Sequence, residues 1–184
     1  MKLNIGFFLG SKLGRGNNYS ILTKNVAKWL NQSKHNVVFG GTESGIMRDL
    51  VVNLNRKELK VTAIITKSLM KEHNECSYFN ELILVEDLKK RTEQFLLRSD
   101  VFLALPGGIG TLFEVVEIFN KKVLGETSKK LFIINDFNYW NPFKNLLEHM
   151  IKENFLDKKT VLKNIEFISF CEVKERLNDV QNSG

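Results

Sequence analysis

Little in this sequence suits metal, disulfide or membrane chemistry. It has two cysteines, Cys76 and Cys171, and three histidines, His35, His73 and His149. They form no CxxC pair and no Cys/His cluster, so neither a metal site nor a disulfide framework is expected. Two buried thiols and histidines without a ligand role are the expectation. The longest apolar runs, IGFFLG near the start and VFLALP at 101–106, are strand-length, far short of the ~20 residues of a membrane span. Asn4 interrupts the first run and no small-residue cleavage site follows it, which argues against a signal peptide and for the cytoplasm. No repeat, linker or single-sign tract divides the chain. The net charge of +6 comes from scattered pairs such as Lys121-Lys122, Lys129-Lys130 and Lys158-Lys159. Without clustering or interleaved aromatics these read as solvated surface, compatible with an anionic small molecule, and exclude a nucleic-acid groove.

What is present is alternation. Apolar strand-length runs (LNIGFFLG, NVVFGG, KVTAIIT, ELILVE, VFLALP, KLFIIN and EFIS) are interleaved with amphipathic segments. The first helix carries Leu22, Val26, Trp29 and Leu30 on one face. Asp87 caps the helix DLKKRTEQFLLRSD, Asn141-Pro142 opens another as N-cap and first turn, and CEVKERLNDV forms the last. Continuously apolar strands alternating with helices predict a parallel sheet covered on both faces. The expected fold is therefore a doubly wound, Rossmann-like α/β domain spanning residues 1–180, with a flexible end at 181–184. With 184 residues, 43% of them hydrophobic, the chain can build one sizeable core.

Such folds bind ligands beyond the carboxyl ends of their strands. Three strands here end in glycine, at Gly10-Ser11, Gly40-Gly41 and Gly107-Gly108. The stretch LALPGGIGTLFEVVE, Leu103 to Glu117, is the most pointed. It lacks the lysine of a nucleotide P-loop, and GSKLGRG fits a dinucleotide fingerprint only loosely. PGGIGT does offer several N–H groups at a helix N-terminus, a cradle for one phosphate. Glu114 has two readings. With Thr111 as N-cap it completes a T-x-x-E capping box; alternatively it faces the ligand, with Glu117 one turn later on nearly the same face. The helix is expected to bury Leu112, Val115, Val116, Phe119 and Val123, leaving Phe113 and Ile118 as a second apolar set.

The segment DLKKRTEQFLLRSDVFLALPGGIGTLFEVVEIF closely resembles the lonely guy family, cytokinin riboside-monophosphate phosphoribohydrolases long labelled lysine decarboxylase-like, which pairs M-x-x-R-K with P-G-G-x-G-T-x-x-E. The likeness runs from GFFLGS through VVFGGTESGIM to NDFNYWNPFKNLLEHMIKENFL, about residues 1–156. It implies Arg91 and Glu114 as the catalytic pair and Gly107, Gly108, Gly110 and Thr111 as the phosphate loop. Ser11, Gly41, Thr92 and Glu117 complete the expected substrate-binding set. Leu88, Thr92, Thr42, Arg48 and Phe113 depart from the family pattern. The implied reaction is hydrolysis of the N-glycosidic bond of a purine nucleoside 5′-monophosphate, prenylated adenine included, by a homodimer that needs no metal or cofactor. Nothing singles out a lysine for pyridoxal-phosphate decarboxylation. The rival reading is a non-catalytic nucleotide- or molybdenum-cofactor-binding module.

Overall fold

The computed structural model describes residues 2–72 and 78–182; the expectations for His73 and Cys76 lie outside them. Seven parallel strands alternate with helices: β1 (Asn4–Phe8), α1 (Asn18–Ser33), β2 (Asn36–Phe39), α2 (Gly45–Val52), β3 (Val61–Thr66), α3 (Lys67–Glu72), β4 (Glu81–Val85), α4 (Leu88–Arg98), β5 (Val101–Ala104), α5 (Ile109–Val123), β6 (Lys130–Ile134), α6 (Asn141–Lys152), α7 (Lys158–Asn164), β7 (Glu166–Ile168) and α8 (Val173–Asn182). The sheet order is β4-β3-β2-β1-β5-β6-β7, so the chain reverses its direction of growth between β1 and β5. That switch point is where a doubly wound sheet opens a crevice.

Strand pleating sends alternate side chains to opposite faces, and the core divides accordingly. Ile5 and Phe7 of β1 pack with Leu22, Val26 and Leu30 of α1, with Ile46 and Leu50 of α2, and with Val173 and Leu177 at the start of α8. Phe8 packs with Phe95 of α4, with Val115, Ile118 and Phe119 of α5, and with Leu147 of α6. The rings of Phe8 and Phe102 stack at 5.4 Å, with Phe95 tilted against Phe8 at 5.2 Å. Gly6 must be glycine, because an added Cβ would stand 2.6 Å from Ser99 Oγ and 2.7 Å from the Phe102 ring. The fold is the expected single doubly wound domain.

Several local expectations are corrected. Ile118 belongs to the core and Val116 and Val123 face outward, because Val115, Ile118, Phe119 and Lys122 share the i, i+3, i+4, i+7 stripe. The α6 helix is capped by Trp140, so Asn141 is its first residue; the Asn141 side chain instead accepts from Asn135 Nδ2. Helices α3 and α7 arise where none was expected. Cys171 is exposed rather than buried, and α8 runs on to Asn182. Asp87 does cap α4, accepting from Lys90 N at 2.8 Å, and His35 is a satisfied core histidine whose Nδ1 accepts from Leu3 N. Among the described residues no helix is long and apolar enough to cross a membrane.

Candidate functional site

The glycine turns after β1, β2 and β5 meet because their strands are neighbours in register, Phe8 opposite Ala104 and Gly6 opposite Val38. Gly10 N donates to Pro106 O, and a Cβ on Gly10 would lie 3.1 Å from Gly107 Cα, so the first and third turns touch back to back. The second reaches them through Gly45. A Cβ there would fall 2.2–2.5 Å from the Ser11–Lys12 backbone, and its φ of +56° also suits only glycine comfortably. Together they wall a cavity of about 550 Å³.

The N-termini of α2 and α5 both line this cavity, and they differ in what remains free. At α2, Ile46 N and Met47 N donate to Lys12 O and Gly10 O, so the chain itself consumes them. At α5, the first three residues are Ile109, Gly110 and Thr111, whose N–H groups have no acceptor inside the helix. A Cβ on Gly108 or Gly110 would meet nothing within 4 Å. Thr111 packs over Gly107, where a Cβ would sit 2.1 Å from its Oγ1. Of these two helix starts, α5 is therefore the one that offers an entering anion open N–H donors and the positive end of a dipole.

Here the capping expectation fails. The N-cap of α5 is Gly108, with no side-chain cap, which makes Thr111 the third helical residue and sets Glu114 one turn deeper. Glu114 caps nothing. Its Oε1 accepts from Arg91 Nη1 at 2.6 Å, both side chains being nearly buried, at 11% and 14% exposure. Arg91 is itself pinned: Nε donates to Ile64 O at 3.0 Å and Nη2 to Gly40 O at 3.3 Å, and its guanidinium lies over the Phe95 ring. The arginine thus ties β3 and the turn after β2 to the carboxylate on α5. Burial pushes the Glu114 carboxyl above its ordinary value; Arg91 pulls the other way, and Glu117 adds to the rise.

Of the residues expected from the sequence, Arg91, Glu114, Gly107, Gly108, Gly110, Thr111 and Ser11 all line the cavity. Gly41, Thr92 and Glu117 are not among its lining residues. Gly41 turns the chain at φ +80° against Ile65, and the buried Thr92 donates its hydroxyl to Glu117 Oε2 at 2.5 Å. Glu117 is therefore turned to α4. The cavity adds residues that sequence reasoning did not single out as site residues: Lys12, Tyr19, Thr42 and Tyr139. Thr42 is buried, and its hydroxyl donates to Met47 Sδ. No local pattern marks Tyr19 or Tyr139, which come from separate elements. Among the described residues no three His, Cys, Asp or Glu side chains gather as a metal cluster.

The family model described as possible lysine decarboxylase matches residues 45–177. A cytokinin riboside 5′-monophosphate phosphoribohydrolase from Rhodococcoides fascians is 30% identical over 169 residues, covering 89% of this chain and 85% of that protein. One from Arabidopsis thaliana is 30% identical over 149 residues, covering 81% of this chain and 65% of the plant protein. In structure, the chain is similar to the molybdenum cofactor binding protein from Rippkaea orientalis, at TM-score 0.69, 18% identity and 98% of each chain. The Moco carrier protein from Chlamydomonas reinhardtii gives TM-score 0.71, 12% identity and 100% of each chain. At such identities the structural likeness speaks for the fold alone, whereas the sequence matches reach most of the chain. The chain belongs to the lonely guy family, the one whose model is described as possible lysine decarboxylase.

Proposed function

We propose that the protein hydrolyses the N-glycosidic bond of purine nucleoside 5′-monophosphates, prenylated adenine nucleotides included, to the free base and ribose 5-phosphate. The observation that carries this reading is a single cavity in which the open N–H groups of α5 lie one helical turn from the buried Arg91–Glu114 pair. In it, the 5′-phosphate sits on the Gly107–Thr111 turn and the ribose extends toward Glu114. Fixing the phosphate lends its binding energy to orienting the anomeric carbon. As the C1′–N bond breaks, its electrons pass to the base and the sugar gains oxocarbenium character. The ionised Glu114 stabilises that charge and takes a proton from the water whose oxygen bonds C1′. The departing base takes up a proton in its turn. Arg91 acts through Glu114, since its three hydrogen bonds hold the carboxylate, β3 and the turn after β2.

A carrier of nucleotide or molybdenum cofactor would use the same fold and the same anion cradle. It would have no need of a carboxylate held beside the cradle. The Arg91–Glu114 pair therefore favours the hydrolase. Incubation with a panel of nucleoside monophosphates, scored for free base and ribose 5-phosphate, separates the two: nucleotide bound but never cleaved would leave the carrier standing.

The same reading includes a homodimer. Ile109, Phe113 and Val116 on α5 and Leu88 on α4 are exposed, Ile109 at 82%, an apolar set beside the cavity suited to a second copy. Ile118, expected beside Phe113 in the second apolar set, lies in the core. Light scattering at micromolar concentration should give twice the mass of 21.2 kDa; a monomer mass would remove the dimer from this reading.

A further inference from the structure

The phosphate turn contains a weakness that the rest of the molecule corrects. The peptide unit between Gly107 and Gly108 is flanked on both sides by residues without a Cβ, so rotation of the unit is resisted by neither side chain. Gly108 has open space around it. If this unit turned over, the Gly108 N–H would exchange places with the Gly107 carbonyl, and the cradle would present an acceptor to an anion. One contact opposes this. The Tyr139 hydroxyl donates to Gly107 O at 2.5 Å. No peptide bond described is cis, and in a planar trans peptide the carbonyl and the following N–H point in opposite directions. Holding the carbonyl therefore fixes the direction of the Gly108 N–H.

Tyr139 is in turn held more firmly than a surface tyrosine. Its ring meets Tyr19 edge-on at 5.4 Å and Trp140 at 5.2 Å. The turn that delivers it contains two successive non-glycine residues in the left-handed region, Phe137 at φ +59° and Asn138 at φ +58°, a backbone that surrounding structure must impose. Asn135 imposes it, accepting from Trp140 N at 2.7 Å and donating to Asn141 Oδ1 at 2.8 Å, while Asp136 Oδ2 accepts from Phe170 N. A strained, well-braced turn ends in one hydroxyl placed on one carbonyl of the glycine loop.

We propose that Tyr139 is a positioning residue for anion binding: its hydroxyl locks the Gly107–Gly108 peptide in the orientation that offers the Gly108 N–H to the substrate phosphate. This rests on the cradle reading above, and the test keeps the two apart. Tyr139→Phe retains the ring and its packing and removes only the hydroxyl. In the free full-length protein, amide relaxation dispersion at Gly107, Gly108 and Gly110 should be absent in the wild type and present in the variant. AMP affinity, by calorimetry, should weaken about tenfold or more, the scale of one hydrogen bond to a charged group, while adenosine affinity changes less than twofold. A merely structural tyrosine would weaken both ligands alike. Unchanged loop dynamics in Tyr139→Phe overturns the lock. Mobile loop amides with undiminished AMP affinity overturn its service to the anion. A wild type that fails to bind AMP sinks the cradle reading instead, and the lock is then decided by the dispersion alone.

Discussion

The two ends of the sheet are built on opposite plans. At the amino ends of the strands, side chains seal the backbone. Asp100 Oδ2 accepts from Asn4 N at 2.7 Å, Asn36 Nδ2 donates to Asn4 Oδ1 at 2.9 Å, and Asn36 Oδ1 and Asn80 Oδ1 accept from Lys60 N and Val61 N at 2.8 Å. His35 takes Leu3 N. At the carboxyl ends the residues that would seal the backbone are glycines, and the α5 N–H groups stay open. Both rims face the same problem of orphan polar groups at element ends. The closed one solves it with its own amides and carboxylates; the open one leaves the solution to a ligand. The strands are four to six residues long across the centre, so only about 13–20 Å separate the two rims. Function should respond to changes at one and stability to changes at the other.

The sharpest way to break this contrast is at Glu114. Glu114→Gln is nearly isosteric and can still accept from Arg91 Nη1, so the fold and AMP binding should persist. Turnover should fall by ~10²–10⁴, the usual scale for a general acid or base. Because Glu114 is no capping residue, the loss cannot be assigned to a frayed helix. Full turnover in a folded Glu114→Gln protein would end its catalytic role.

Next in size is the gap between AMP and adenosine, which share base and ribose and differ only in what the open rim can hold. Hydrogen bonds to a charged group contribute ~1.5–3 kcal/mol each, so two of them, partly realised, place AMP ahead by about two orders of magnitude in kcat/KM. Thr111→Val keeps the backbone donors and removes the hydroxyl, and should narrow the gap without closing it. Equal rates for the two substrates would return the glycines to plain strand-to-helix turns.

How much of this was legible in the sequence follows from the range of the interactions. Strand runs and helix stripes depend on residues near one another, and they gave the doubly wound sheet and the faces of α1. The start of α5 misled because a glycine in extended backbone can serve as N-cap with no side chain, while the T-x-x-E pattern three residues on imitates a capping box. Glu117 misled for a geometric reason: three residues turn a helix by about 300°, not a full circle, and that offset carries it to Thr92. Arg91 and Glu114 were found through family resemblance; no spacing rule joins residues 23 apart. Tyr139 reaches Gly107 across 32 positions, and nothing in its neighbourhood announces that contact.

A smaller effect, in pH rather than in rate, concerns the electrostatics of the pair. Glu114 must be ionised to act as base, and burial holds its carboxyl above the ordinary range. The acid limb of kcat/KM should therefore lie above that of an exposed glutamate, activity rising with pH through the raised value. Arg91 opposes the rise by charge and by hydrogen bond. Arg91→Met removes both, so the limb should move to still higher pH and not lower. A limb that stayed in place, in a variant that still folds, would mean that Arg91 does not govern the charge of Glu114.

The least effect on activity is expected from the closed rim, where Asn36 sits between two neighbours. Its amide bridges Asn4 and Lys60, and neither partner approaches the cavity lining. Asn36→Ala removes both hydrogen bonds and strands the Lys60 N–H at a partly wetted edge, where water can take over some of the loss. At ~0.5–1.5 kcal/mol for each bond, destabilisation should be about 1–3 kcal/mol. For a domain of this size each kcal/mol lowers Tm by roughly 2–4 °C, which calorimetry resolves. Turnover of AMP measured well below that Tm should stay within about twofold of wild type, because the strand ends facing the ligand are held by Arg91 and by the ladder itself rather than by Asn36. A stable Asn36→Ala protein with crippled turnover would show that the two rims are coupled through the strands, and the division of labour between them would have to be given up.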